Sequence, residues 1–174
     1  MTSPAPRFHP LARLLHWLMA GLILAMLFIG VSMVSDLSPR HTWLISLHKA
    51  IGLALLVLVV VRIVTRLLFT PPPLPAELPR AQQWAAKASH LVLYALMLAM
   101  PLIGWGMLSA AGNPIPLHLP ALLRHDLQLY AVLRTLHGVL AYVLFATVLM
   151  HLAAALVHGL VRRDGVLRSM WPGR

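Results

Sequence analysis

The stretch LHGVLAYVLFATVLMHLAAALVH, residues 136–158, decides the fold. It lies in an uncharged run between Arg134 and Arg162. A helix of this length, rising about 1.5 Å per residue, crosses the roughly 30 Å hydrocarbon core of a bilayer. The stretch therefore predicts a membrane-spanning helix. The histidines within it are His137, His151 and His158.

Three further apolar blocks precede this one in a chain of 174 residues. Hydrophobic side chains make up 60% of the sequence and charged ones 10%, with a mean hydropathy of +0.82, which excludes a soluble or disordered protein. We expect an all-α integral membrane protein, a four-helix transmembrane bundle forming one domain over residues 1–174. The predicted spans are about 14–34, 43–69, 88–111 and 131–161.

The formal net charge of +10 follows the predicted topology. Ten of the 14 Lys and Arg residues lie in the N-terminal tail, the C-terminal tail and around the second loop, on one side of the bundle. Loops rich in Lys and Arg stay in the cytoplasm, so both termini are predicted to be cytoplasmic. Topology therefore explains the basic charge better than nucleic-acid binding does.

The histidines in the apolar blocks fall at two depths. His137 and His151 are 14 residues apart, so they lie within about 40° of one helix face and roughly 21 Å apart along the axis. Because consecutive spans alternate in direction, His16 is level with His151, and His48 is level with His137. Two neutral imidazoles facing each other at each level are the arrangement that two bis-histidine haem sites need.

The residues four positions after these histidines support the same interpretation. A flat macrocycle needs room on that helix face, and all four positions are small. They are Ala20, Gly52, Ala141 and Ala155. His90 and His158 are instead followed at this spacing by Tyr94 and Arg162, which separates them from the ligand set. The chain has no cysteine, so covalent haem attachment is excluded.

His90 and His158 keep two interpretations each. A single histidine in a span often bonds to a neighbouring helix, and that is one interpretation of His90. His158 lies near the cytoplasmic surface on almost the same stripe as His151, where it could handle protons for a quinone or bond to a haem propionate. Contact with a quinone or a propionate is the alternative for His90 as well.

These residues resemble the bacterial cytochrome b561 family, relatives of the membrane cytochrome b subunits of hydrogenases and formate dehydrogenases. The resemblance implies two non-covalent b-type haems, held by His16 with His151 and by His48 with His137, that pass electrons between a donor and a membrane quinone. The matching stretches are Leu15-His16-Trp17, Leu47-His48-Lys49 with Gly52, Val60-Val61-Arg62 to Arg66-Leu67, Ser89-His90-Leu91 with Tyr94, Gly112-Asn113-Pro114, and Leu136-His137 through His151-Leu152-Ala153-Ala154-Ala155 to His158.

Short free-standing members of that family look like superoxide oxidases, which pass an electron from superoxide at the outer face to ubiquinone. The resemblance thus implies an oxidoreductase in the bacterial inner membrane, with lipid, a quinone, and superoxide or a redox partner protein as its partners. Lys49 and Arg134 are the candidates for steering the superoxide anion, and the alternative is that they pair with haem propionates or lipid phosphate. The alternative function is an electron-transfer subunit for a hydrogenase- or dehydrogenase-type partner.

Two other classes of protein fit the sequence poorly. A metal transporter also places histidines in its spans, but it usually needs carboxylates, and the apolar spans contain no Asp or Glu. A structural protein without haem would leave the paired depths and the small neighbours unexplained.

Overall fold

The computed structural model describes residues 7–35, 38–73 and 78–171. These residues form helices and the connections between them. Within these ranges no strand occurs. Helix α4 continues into a six-residue π-helical segment, Val157–Arg162, and a 3₁₀ turn, Pro116–His118, lies in the connection before α4. The α-helices are α1 (Pro10–Ser35), α2 (Arg40–Leu68), α3 (Arg80–Ala110), α4 (Leu127–Leu156) and α5 (Val166–Met170).

The first four helices are each long and apolar enough to cross a membrane, which confirms the predicted fold class. Large apolar side chains cover their outer faces; Phe28, Val31 and Tyr142, for example, are 73%, 68% and 77% exposed. Such an apolar exterior is suited to lipid rather than water. Helices α2 and α3 begin before the apolar blocks, at Arg40 and Arg80, because hydropathy marks the part of a helix in the membrane and not its first turn.

Consecutive helices pack against each other in the order α1–α2, α2–α3 and α3–α4, whereas α1 and α4 lie further apart. Packing of each helix against the next one in the chain is expected in an up-and-down bundle. The buried core is small and is centred on Met19, Ile23 and Val59. It sits between the two levels at which histidines face one another.

The connection from α3 to α4 is fixed by backbone hydrogen bonds. Gly112 adopts a φ of +67°, and the N–H of Asn113 donates to the carbonyl of Leu108 at 2.9 Å, which together form a Schellman-type end to α3. The chain therefore leaves the helix at Gly112-Asn113-Pro114. Asp126 is the N-cap of α4, since its Oδ1 accepts hydrogen bonds from the N–H groups of Gln128 and Leu129 at 2.9 and 3.0 Å.

The C-terminal segment, predicted only as a tail, folds back as α5 against the start of α1. The turn uses left-handed backbone at Arg163 and Gly165. Trp17 donates from Nε1 to the carbonyl of Met170 at 2.8 Å, and the N–H of Phe8 donates to the carbonyl of Ser169 at 3.3 Å. Both ends of the described chain therefore meet at one end of the bundle. We call this the terminal end and the opposite end the far end.

Candidate functional site

His16 on α1 and His151 on α4 face each other at the terminal end. Their ring centres are 6.2 Å apart and the ring planes are inclined by 68°. Both side chains are half-buried. The two helices do not pack closely at this point, so the approach of the rings is set by side chains that reach into the bundle from either side.

His48 on α2 and His137 on α4 form the matching pair at the far end. Their ring centres are also 6.2 Å apart, with the planes inclined by 65°. The Nδ1 atoms of both rings are buried and have no hydrogen-bond partner among the described residues. A buried polar nitrogen without a partner is costly, so these positions are unfavourable for histidines that only pack in the bundle.

The surroundings of the far-end pair are shaped by glycines on the other two helices. A Cβ atom at Gly30 on α1 would lie 4.0 Å from Cε1 of His48, and one at Gly104 on α3 would lie 3.7 Å from Cε1 of His137. Each glycine therefore lets a helix backbone pass close beside an imidazole. Of the small residues singled out in the sequence, Gly52 faces the methyl group of Met26, 3.7 Å from where its Cβ would be.

His90 was not among the predicted haem ligands, but it lies close to the terminal-end pair. Its ring centre is 5.6 Å from that of His151, so α3 brings a third imidazole to this level. The spacing between His90 and Tyr94 is a property of α3 alone, so it does not show which face of α3 meets α4. No group of three or more His, Cys or acidic residues in the described ranges is arranged to hold a metal ion, so His90 neighbours the pair without completing a three-ligand site.

Arg62 connects α1, α2 and α3 at the terminal end. Its Nη1 donates to the carbonyl of Ala12 at 3.1 Å, and its Nη2 lies 3.2 Å from Nδ1 of His16. The guanidinium also lies over the ring of Tyr94, 5.9 Å from its centre. Because a guanidinium only donates, Nδ1 of His16 accepts here, which leaves the proton of the neutral ring on Nε2.

His158 forms a hydrogen bond with Asp164 that was not predicted from the sequence. Its Nδ1 lies 2.5 Å from Oδ2 of Asp164, and both side chains are half-buried. Desolvation raises the pKa of Asp164, but the hydrogen bonds from His158 and from the N–H of Val166 outweigh it, so the pKa lies below its ordinary value. The signal was present in the sequence, since Asp164 is one of only four acidic residues and follows His158 by six positions.

Lys49 and Arg134, the candidates for anion steering, lie on α2 and α4 near the far-end pair. Lys49 is half-buried and adjoins His48, whereas Arg134 is exposed and precedes His137 by three residues. Within the ranges that the structure describes, neither side chain takes part in a salt bridge. Both charges are therefore available to an anion that approaches from the far end.

Four apolar spanning helices that present imidazoles to one another in the bundle interior define a membrane protein of the cytochrome b class. The chain belongs to the family described as prokaryotic cytochrome b561, whose profile it matches over residues 7–173. It is similar to "Cytochrome b561 homolog 2" of Escherichia coli (strain K12), with 32% identity over 177 residues that cover 97% of this chain and 93% of that protein.

Two further relatives are also similar to this chain, at lower sequence identity. "Probable superoxide oxidase CybB" of Yersinia pestis is 29% identical over 165 residues, 91% of this chain and 92% of that protein. "Cytochrome b561 homolog 1" of Escherichia coli (strain K12) is 25% identical over 130 residues, 73% of this chain and 74% of that protein. The predicted family is thus confirmed, and b-type haem is the cofactor that this family implies.

The histidine pairs fit such a haem. An iron atom held between two imidazole nitrogens at about 2 Å each keeps the ring centres slightly more than 6 Å apart. Both pairs have that separation. If His16 held iron through Nε2, its ring proton would move from Nε2 to Nδ1, and Arg62 could then no longer donate to Nδ1. The roles of the four histidines as ligands stay a prediction.

Proposed function

We propose that this chain is a two-haem cytochrome that oxidises superoxide at its far end and reduces ubiquinone at its terminal end. The observation that carries the proposal is the pair of facing imidazoles at each of two levels, 6.2 Å apart in both cases. On α4 the two levels are 14 residues apart, or roughly 21 Å. The similarity to a probable superoxide oxidase supports the choice of electron donor.

The proposed orientation places the terminal end in the cytoplasm and the far end outside the bacterial inner membrane. The excess of Lys and Arg near the termini and the second loop supports this orientation. Superoxide formed outside the cell membrane then meets Lys49 and Arg134 first. An anion is attracted by these charges over a distance set by the ionic strength.

The overall reaction balances with two superoxide anions for each quinone. Each superoxide loses one electron and leaves as O₂, and ubiquinone gains the two electrons and two protons to become ubiquinol. Haem iron, when bound, supplies the one-electron chemistry that protein side chains lack. His16 with His151 and His48 with His137 would hold the two haems, while the apolar helices keep water away from the interior.

His158 and His90 are proposed to act at the terminal end. His158 is held against Asp164 at 2.5 Å, which suits it to pass a proton from the cytoplasm toward the quinone. His90, whose ring centre is 5.6 Å from that of His151, is proposed to contact a haem propionate or the quinone. Neither role requires either residue to bind iron.

The test uses the purified protein in detergent with an enzymatic source of superoxide and a soluble ubiquinone analogue. Haem reduction and quinone reduction are followed together by absorbance, with superoxide dismutase as the control. The proposal predicts rapid haem reduction that the dismutase abolishes, together with quinol formation. Haems that stay oxidised under superoxide would show that superoxide is not the electron donor. That result would favour the alternative, an electron-transfer subunit of a hydrogenase or dehydrogenase.

A further inference from the structure

The imidazole of His41 belongs to the first turn of α2, which begins at Arg40. Its Nδ1 atom is buried and has no hydrogen-bond partner among the described residues. The side chain as a whole is only half-buried, so this nitrogen is better shielded than the rest of the residue. A polar nitrogen in such a position is costly unless a further group completes its hydrogen bond.

His41 shares a face of α2 with His48, the proposed iron ligand. Seven residues separate the two histidines, so at about 100° per residue they lie within roughly 20° of one another around the helix. The rise per residue places His41 roughly 10 Å further along the helix axis, towards the far end. The nitrogen without a partner therefore belongs to the side of α2 that faces the proposed far-end haem, two turns nearer the end of the bundle.

The terminal end offers a comparison, because His158 follows His151 at the same spacing of seven residues. There, Nδ1 of the outer histidine meets a carboxylate of the chain, Oδ2 of Asp164. At the far end the acidic side chain that the structure describes is Asp126, which accepts from N–H groups of α4. The described part of the chain therefore provides a carboxylate for His158 and none for His41.

A b-type haem carries two propionate carboxylates on one edge of its ring, and a charged oxygen accepts stronger hydrogen bonds than a neutral one. We propose that Nδ1 of His41 donates to a propionate of the far-end haem and so fixes the rotation of that haem between His48 and His137. The inference rests on the proposed function, in which these two histidines hold the iron. His41 is a positioning residue, and its hydrogen bond also offsets part of the negative charge that a superoxide anion would meet.

Lys49 is the competing donor, because a haem propionate is one of the two partners that its position allows. It follows His48 directly, so it lies about 100° around the helix from that residue, whereas His41 lies on the same face. The Lys49 ammonium is also not a buried group that lacks a partner within the described ranges. The need for a buried acceptor is therefore specific to His41.

The first experiment measures how fast each haem leaves the holoprotein in detergent, with excess apomyoglobin as the acceptor. His41→Phe keeps a ring but removes the donor, and it should speed the loss of one haem about tenfold, equivalent to about 1.4 kcal/mol. That haem should be the one that is missing in His137→Ala. The other haem should leave at its unaltered rate, which serves as an internal control for folding.

Two further variants separate the hydrogen bond from the shape of the side chain. His41→Gln keeps an N–H donor and should restore most of the slow rate. His125→Phe, which alters an exposed histidine in the connection from α3 to α4, is the matched control and should change neither rate. If Lys49→Gln speeds the loss of the far-end haem and His41→Phe does not, the lysine is the donor and the proposal is wrong.

The second experiment repeats the measurement with haem whose propionates are methyl esters. The charged acceptor is then absent, so the tenfold difference between His41→Phe and the unaltered protein should shrink to less than about twofold. A difference that stays tenfold would mean that the partner of Nδ1 lies in the chain or the solvent, and it would overturn the proposal. Faster loss of the terminal-end haem in His41→Phe would overturn it as well.

The proposal about His41 and the proposed function fail separately. If superoxide does not reduce the haems but His41→Phe releases the far-end haem faster, the contact with the propionate is supported and the electron donor is wrong. If superoxide reduces the haems and His41→Phe releases both of them at the unaltered rates, the proposal about His41 is wrong and the proposed function stands.

Discussion

Replacing one histidine of each pair on α4 should remove one haem and leave the other. His137→Ala takes away one imidazole at the far end, and His151→Ala takes away one at the terminal end. In each case the partner, His48 or His16, would be left opposite a methyl group in place of a ring 6.2 Å away. A bis-histidine site that loses one ligand no longer holds a low-spin haem tightly.

The size of the effect follows from the distance between the two levels. Fourteen residues of helix separate His137 from His151, which is roughly 21 Å. Sites this far apart, with no shared side chain, are expected to behave independently. Each single variant should therefore retain one of two haems, so that the haem absorbance per protein falls to about half, and the double variant should retain none.

The assay is the haem content per chain, measured as the pyridine complex against protein quantified by amino-acid analysis. Added imidazole should restore the second haem in each single variant, which separates the loss of a ligand from unfolding. His90→Ala is the matched control and should keep both haems, although its ring centre lies 5.6 Å from that of His151. Loss of a haem in His90→Ala, or loss of both in His137→Ala without rescue by imidazole, would show that the assignment of the ligands is wrong.

Three further predictions concern other parts of the chain. Lys49→Gln with Arg134→Gln should slow haem reduction by superoxide by roughly threefold to tenfold and weaken its dependence on salt, measured by stopped flow; an unchanged salt dependence would contradict a steering role. Asp164→Asn should lower the melting temperature near neutral pH, because a carboxyl whose pKa is lowered by folding contributes stability above its unfolded pKa and loses that contribution as pH falls through the lowered value. The difference from the unaltered protein should therefore vanish in acid, and a difference that persists there would point to another cause. Asp126→Ala removes two hydrogen bonds from the start of α4 and should cost about 1 kcal/mol of unfolding free energy, measured by denaturant titration in detergent.

The sequence predicted the features that depend on position along a single helix. The four spans follow from the length and apolarity of each block, and the levels of the histidines follow from the rise per residue and the alternating directions of the spans. The pairs His16 with His151 and His48 with His137 do come together in the structure. Counting residues was sufficient for these features because neighbouring spans must run antiparallel through a slab of fixed thickness.

Features that depend on contacts between helices were not predictable in this way. The approach of His90 to His151 depends on the rotation of α3 about its axis, which the spacing of its own residues does not determine. The π-helical segment and α5 depend on left-handed backbone at Arg163 and Gly165, and a non-glycine residue in that conformation leaves little signal in a sequence. The contact of Arg62 with His16 likewise depends on how α1 and α2 pack, and the position of Arg62 along α2 does not reveal it.

Vesicles show directly from which side of the membrane superoxide delivers its electron. The protein is reconstituted into vesicles with ubiquinone, separated by the accessibility of a C-terminal tag, and exposed to superoxide generated only in the external solution. Because an anion crosses the apolar core slowly, we expect haem reduction and quinol formation only in vesicles whose far end faces outward. Superoxide dismutase outside should abolish both. Equal rates in the two orientations, or reduction only when the terminal end faces outward, would contradict it.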